Sequence, residues 1–201
     1  MSRVKNINSL IDIDFNTLSN AYNVYLENEL FPLNNEGTSI NDLYFQSVYH
    51  NATMIFDEIF DTNDQIKLIH SISTNYITHR KSRFPERFLF KQMIYEYEQF
   101  IKKEDVLDIK NVFTYYCNKK DIKYKKLIKA ICNQDFPGLH PNINQRDIYS
   151  SVFFININKD VLLHIYDDRG LIIAFDDEKR FEKFIEKYRH LKIERYTEDE
   201  I

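Results

Sequence analysis

VFFININKDVLLHIYDDRGLIIAF, residues 152–175, is the stretch whose reading decides the fold. Three β-rich runs, 152–157, 161–166 and 171–175, are separated only by Asn158-Lys159-Asp160 and Asp167-Asp168-Arg169-Gly170. Connections this short join antiparallel neighbours, because a parallel crossover needs about a dozen residues or more. The stretch predicts a three-stranded antiparallel meander. Gly170 is read as the residue supplying a positive φ in its second turn.

Working towards the C-terminus, a helix is expected over about 177–190. Phe181, Phe184, Ile185, Tyr188 and Leu191 repeat there at helical spacing. A short edge strand, 192–197, then closes the sheet. Towards the N-terminus, 133–142 is a loop by its Pro and Gly content. Asp121 is expected to cap a lysine-rich helix whose inner face is Tyr124, Leu127, Ile128, Ile131 and Cys132, and 112–117 reads as a strand. Pro85 suits the first turn of a helix over 86–102, with Phe90, Met93, Ile94, Tyr97, Phe100 and Ile101 as its buried stripe.

The segment 65–74, QIKLIHSIST, alternates as a half-buried strand does. Ahead of it, Ser39 is expected to cap a five-turn helix ending near Phe60, with Ile40, Tyr44, Val48, Ala52, Ile55 and Ile59 inward. A first helix is expected over 14–29, with Phe15, Leu18, Tyr22, Tyr25 and Leu26 on one face. The fold class is α+β: an antiparallel sheet with a C-terminal meander, packed with several amphipathic helices mostly on one side. The chain is expected to be one domain over 1–201, with 1–38 a helical extension and 39–201 the α+β body.

Of the 201 residues, 43% are apolar and 15% aromatic, enough for a core without disulfide or metal staples. The two cysteines, Cys117 and Cys132, lack CxxC spacing and read as buried free thiols. No run approaches the ~18 apolar residues of a membrane helix, and no signal-peptide core is seen, so no membrane association and a cytoplasmic location are expected. The net charge of −4 is unevenly spread: residues 1–60 carry 2 basic and 8 acidic side chains, and residues 61–140 carry 15 and 10. An acidic N-terminal third disfavours nucleic acid as the main partner, since phosphate binding needs a basic footprint. The basic segments Asn118 to Lys126 and Thr78 to Phe84 keep a nucleic-acid-binding module as an alternative.

His164, Tyr166, Asp167, Asp168 and Arg169 are the residues that chemistry can use. A histidine, two carboxylates and a guanidinium so close in sequence can make an acid/base pair or hold a divalent metal. The same residues suit a tight hairpin, with Asp167 accepting backbone N–H groups. The turn reading is preferred. With glycines only at 37, 138 and 170, neither a P-loop nor a dinucleotide fingerprint can be written, and there is no HExxH or GxSxG. No catalytic residue, metal ligand or cofactor is therefore assigned. The partner-binding candidates are Asp167, Asp168 and Arg169 of the turn, and Asp176, Asp177 and Glu178 after it.

Phe153-Phe154-Ile155-Asn156 leading to Tyr166-Asp167-Asp168-Arg169-Gly170 resembles the C-terminal signature of a bacterial family known only as a domain of unknown function. Tyr44-Phe45, Ile55 to Phe60 with Asp64, and Ala130 to Phe136 resemble the same family. The resemblance implies one domain of bacterial cytosolic origin and supplies no activity. Small acidic proteins of this kind look like immunity proteins, which cover a toxin's active site. The expected function is thus non-catalytic neutralisation of a cognate toxin domain, such as a basic nuclease of a contact-dependent or polymorphic toxin system. The alternative is a metal-dependent hydrolase or nuclease built on the YDDRG region.

Overall fold

One antiparallel sheet organises the chain. The computed structural model describes residues 18, 20–27, 29–34, 36–74, 83–91, 93–103, 107–144 and 148–196, the side chains of 101–103, 107 and 108 apart. Its strands are β1 (Ala21–Tyr25), β2 (Gln65–Thr74), β3 (Tyr95–Lys103), β4 (Leu107–Asn118), β5 (Tyr149–Asn156), β6 (Val161–Ile165), β7 (Gly170–Phe175) and β8 (Ile193–Arg195). They lie side by side in the order β3-β4-β2-β5-β6-β7-β1-β8, every neighbouring pair antiparallel. The described helices are α1 (Asp42–Ile59), α2 (Phe84–Phe88), α3 (Tyr124–Cys132) and α4 (Glu178–Lys187).

All four helices contribute to one apolar cluster on one face of the sheet, where Phe56, Phe88, Leu127 and Phe184 meet Leu68, Phe154, Leu163 and Ile173. The opposite face carries a smaller cluster of strand residues, among them Ile69, Ile155, Leu162 and Ile172. Strand periodicity explains the split: Leu162 and Leu163, or Ile172 and Ile173, are sequence neighbours on opposite faces. Apart from His164, residues of β6 and β7 are apolar on both sides because both sides are buried.

The meander stands as expected, with β5, β6 and β7 paired in sequence order. Its first turn is tied down by Asn156, which is wholly buried. The Asn156 Oδ1 accepts the N–H groups of Asn158 and Lys159, and its Nδ2 donates to the Ile59 carbonyl and to Asp64. One amide thus joins the turn to the C-terminal end of α1.

The role of Gly170 needs correction, because its φ is not positive. The reason for glycine is close approach: a Cβ there would lie 2.2 Å from the Tyr166 hydroxyl and 2.8 Å from the Val24 carbonyl oxygen.

Three helix expectations change. Residues 21–25, expected inside a first helix, are β1; residues 14–17 and 19 lie outside the described residues. Tyr22, Val24 and Tyr25 are strand-forming types, and β7 and β8 pair with both edges of this segment. The helix expected over 86–102 is α2 alone, with Pro85 in its first turn, followed by β3. Its supposed inner stripe divides: Phe90 is 68%, Ile94 95% and Tyr97 50% exposed, Met93 and Phe100 are partly buried against apolar clusters, and the side chain of residue 101 lies outside the described ones. Tyr95-Glu96-Tyr97-Glu98 alternates, and that two-residue period is the one the backbone follows. The cap of α1 is Asn41 rather than Ser39, its Oδ1 accepting the N–H groups of Leu43 and Tyr44. Asp121 likewise closes a 3₁₀ turn, Lys119–Asp121, in a capping box with Asn118, and Lys123 precedes α3.

The strand 65–74, the inner face of α3 and the helix after the meander, capped by Asp177, lie where expected. Cys117 and Cys132 are free and buried. Among the described residues no helix is long and apolar enough to cross a membrane.

Candidate functional site

Tyr44 of α1, the loop after α3 and the turn between β6 and β7 converge on two buried carboxylates. Asp167 and Asp168 are 2% and 4% exposed. A buried charge is costly unless it is paired or hydrogen-bonded, and both are. Asp167 Oδ1 accepts the Arg169 backbone N–H at 2.7 Å, and Oδ2 accepts Arg169 Nε at 2.8 Å together with a second guanidinium nitrogen. This Arg–carboxylate fork closes the turn on itself. Those hydrogen bonds raise the Arg169 pKa above its ordinary value.

Asp168 faces the helices, where the Tyr44 hydroxyl donates to its Oδ2 at 2.7 Å. Burial pushes Asp168 up to about 6, and neighbouring Asp167 adds to the rise while the Tyr44 hydrogen bond opposes it. Tyr44 itself is raised by burial and by that same hydrogen bond. Gln134 donates to the Tyr166 carbonyl, fastening the loop after α3 to the turn. Asp135 beside it is raised by burial and by Asp167.

One carboxylate oxygen each from Asp135, Asp167 and Asp168 lie within 4.8 Å of one another, the arrangement a hard divalent cation can use. The chemistry of the donors argues against a ready cation site. Asp167 is already neutralised by a guanidinium, and a cation would have to displace it.

His164 does not join this cluster. It lies with Leu162 on the face opposite the described helices, where its Nδ1 meets the Val152 carbonyl oxygen at 2.9 Å and its ring stacks on Phe153. Burial pushes its pKa down to about 4. The sheet therefore separates the histidine from the helix-facing Asp168, while the Val152 carbonyl and the charge of Asp167 act on the ring against the effect of burial.

The other candidates divide by exposure. Asp167 and Asp168 are interior, so neither offers a surface to a partner. Arg169 keeps its side chain 61% exposed. Asp176, Asp177 and Glu178 are all exposed, with Asp177 spending Oδ1 on the Lys179 backbone N–H at the start of α4. In the lysine-rich stretch, Lys119 is turned inward to Asp57 and the Phe60 carbonyl, whereas Lys125 and Lys126 face solvent. Residues 78–82 of the other basic segment and 198–200 of the acidic tail lie outside the described residues.

Sequence reasoning did not single out Tyr44 or Asp135 for chemistry, yet both sat in segments quoted for their resemblance. Those segments, 44–45, 130–136 and 166–170, are distant in sequence and meet here.

A second feature was not foreseen at all. β3 ends the sheet, and residues 94–99 are all exposed. Tyr95 and Tyr97 lean over Tyr115 and Phe113 on one face, while Glu96 and Glu98 line the other.

Comparison with known proteins places the chain among uncharacterised relatives. The family described as Domain of unknown function (DUF3885) matches residues 9–195. "Uncharacterized protein YnaE" of Bacillus subtilis (strain 168) is 33% identical over 177 residues, 78% of this chain and 78% of the relative. No solved structure matches the chain.

Proposed function

Since the chain belongs to the DUF3885 family, whose function its description leaves open, we propose that it is a non-catalytic immunity protein that binds and neutralises a cognate toxin domain in the bacterial cytoplasm. The observation that carries this reading is the β3 end of the sheet. A strand edge without a partner strand among the described residues, with Tyr95 and Tyr97 half exposed and Glu96 and Glu98 beside them, combines what a protein interface uses: open backbone groups, rigid aromatic area and charge. The carboxylates that looked catalytic are instead spent on Arg169 and Tyr44. A basic nuclease is the favoured target class, because carboxylates on the neutraliser speed encounter and compete with phosphate. In this reading the YDDRG turn is the family's structural knot, and Arg169, Asp176, Asp177 and Glu178 are its exposed, secondary contacts.

Co-expression with toxin-like domains encoded beside the gene tests the reading. A stoichiometric complex and restored growth are expected, with the complex weakened by Tyr97→Ala and Glu98→Lys. Recovery of the chain alone, with no rescue of growth by it against any neighbouring gene product, overturns the reading.

A second reading, a metal-dependent hydrolase or nuclease, draws on the proximity of Asp135, Asp167 and Asp168. It requires Mg²⁺ or Mn²⁺ to raise the melting temperature of the wild type and not of Asp135→Asn. No shift with either ion removes it.

A further inference from the structure

The edge strand also fits a copy of itself. β3 runs Tyr95-Glu96-Tyr97-Glu98-Gln99-Phe100-Ile101-Lys102-Lys103, and its outer edge has no partner strand among the described residues. An edge strand exposed on both faces, as β3 is over residues 95–99, is the kind that other strands join, and natural proteins ordinarily block it with a bulge, a proline or a cover. No bulge or proline interrupts residues 95–103, whose register against β4 is continuous.

We infer that two copies of the chain pair antiparallel through β3 about a two-fold axis at Gln99, continuing the sheet across the dimer. The sequence order makes this register self-complementary. With Gln99 opposite itself at the middle of the nine residues, every position of β3 acquires a partner. Glu96 falls opposite position 102, a lysine, so an opposite-charge pair occurs twice by symmetry. Tyr97 falls opposite position 101, an isoleucine, on the other face, giving two aromatic–aliphatic pairs. An axis at Tyr97 or Glu98 would instead bring carboxylates face to face, Glu96 on Glu98 or Glu98 on itself, which is repulsive. An axis at Phe100 leaves Tyr95 and Glu96 beyond the paired length.

The dimer uses the surface assigned above to a toxin, and it would cap that edge while no partner is present. It stands without that reading, because it rests only on the strand and its order of residues.

Sedimentation velocity of the purified full chain, with no other protein present, tests it. A species of twice the 24.4 kDa chain mass is expected at micromolar concentration. Glu96→Lys is expected to weaken association roughly tenfold or more, and Glu96→Lys combined with Lys102→Glu to restore it. Gln99→Cys under mild oxidation should give a covalent dimer, since directly opposed residues of an antiparallel pair lie within disulfide reach. Both native cysteines are buried, so they do not confuse the readout. A wild type that stays monomeric at the highest soluble concentration overturns the inference. So does a dimer that ignores both charge variants and gives no cross-link through Gln99→Cys. Neither result bears on whether the chain captures a toxin, and failure to capture one leaves the dimer untouched.

Discussion

The meander inside the sheet and the strand at its β3 edge are held differently. At the meander, β6 and β7 are buried on both faces, and the turn between them is fastened to α1 by Tyr44 and to the loop after α3 by Gln134. At the β3 edge, residues 94–99 are all exposed, and the aromatic side chains of Tyr95 and Tyr97 are half in water. The same backbone ladder therefore serves two purposes. Stability is concentrated where side chains from helices and strands share one interior, and surface for a partner is left where they do not.

The largest test of this contrast compares two truncations. Leu163 on β6 is wholly buried, so Leu163→Ala removes apolar contacts and leaves a cavity, costing about 3–4 kcal/mol. Tyr97→Ala takes away a larger side chain from the exposed end and is expected to cost under about 1 kcal/mol. Urea denaturation of the two variants checks both figures. Equal losses would mean that β3 is as integral to the core as β6 is.

Two glycines sharpen the same point. Gly170→Ala forces a methyl into the Tyr166 hydroxyl and the β1 backbone, and is expected to cost about 3 kcal/mol. At Gly138 a Cβ meets nothing within 4 Å, so Gly138→Ala should be close to neutral. Thermal melts would register the first as a clear drop. A mild Gly170→Ala would show that β1 and the turn are more loosely joined than the 2.8 Å approach implies.

Acid should weaken β2 and the meander unequally. His70 on β2, under α2, is held down to about 3 by burial, with Arg87 adding to the fall, and His164 in the meander to about 4, also by burial. Both are depressed below the unfolded value of 6.5, so the unfolded state binds more protons as pH falls. Their contribution is complete above that value and is lost on acidification towards the folded values. Asp168 acts with the opposite sign: raised to about 6 by burial, it gains stability as pH drops through that value. The net expected loss between pH 6.5 and about pH 5.5 is about 1–2 kcal/mol, and His70→Phe should roughly halve the histidine share. A stability curve flat over that interval would mean that neither ring is held neutral by the fold.

The meander was legible because short polar connections between β-rich runs leave few alternatives, and α1 because its stripe persists for five turns. β3 was not legible for a physical reason. Period reading assumes one buried face, and Phe90, Ile94 and Tyr97 are apolar or aromatic residues that the fold leaves outside. Their spacing imitates an amphipathic helix although no helix needs to hide them. β1 was missed for the opposite reason: its partners β7 and β8 come from residues almost 150 positions or more away, which local pattern cannot see. At the site, the paired carboxylates of the turn were visible as residues. What they face was not, because Tyr44 and Asp135 reach them only through the tertiary fold.

Tyr44→Phe is the smallest change that probes the fastened meander. It keeps the ring in the core against Phe45 and deletes only the hydroxyl that donates to Asp168. At pH 8 the Asp168 carboxylate is charged and buried, so losing this donor should cost about 1 kcal/mol or somewhat more. Burial already holds Asp168 at about 6, and without the Tyr44 hydrogen bond its value should climb further. At about pH 5 the carboxyl is mostly protonated in wild type and variant alike, so the penalty should shrink there. Urea melts at the two pH values separate the outcomes. A larger loss at pH 8 means that the hydroxyl holds a buried charge in place. The same loss at both would mean that the pair is only a packing contact, and that the meander is held to α1 by its apolar neighbours alone.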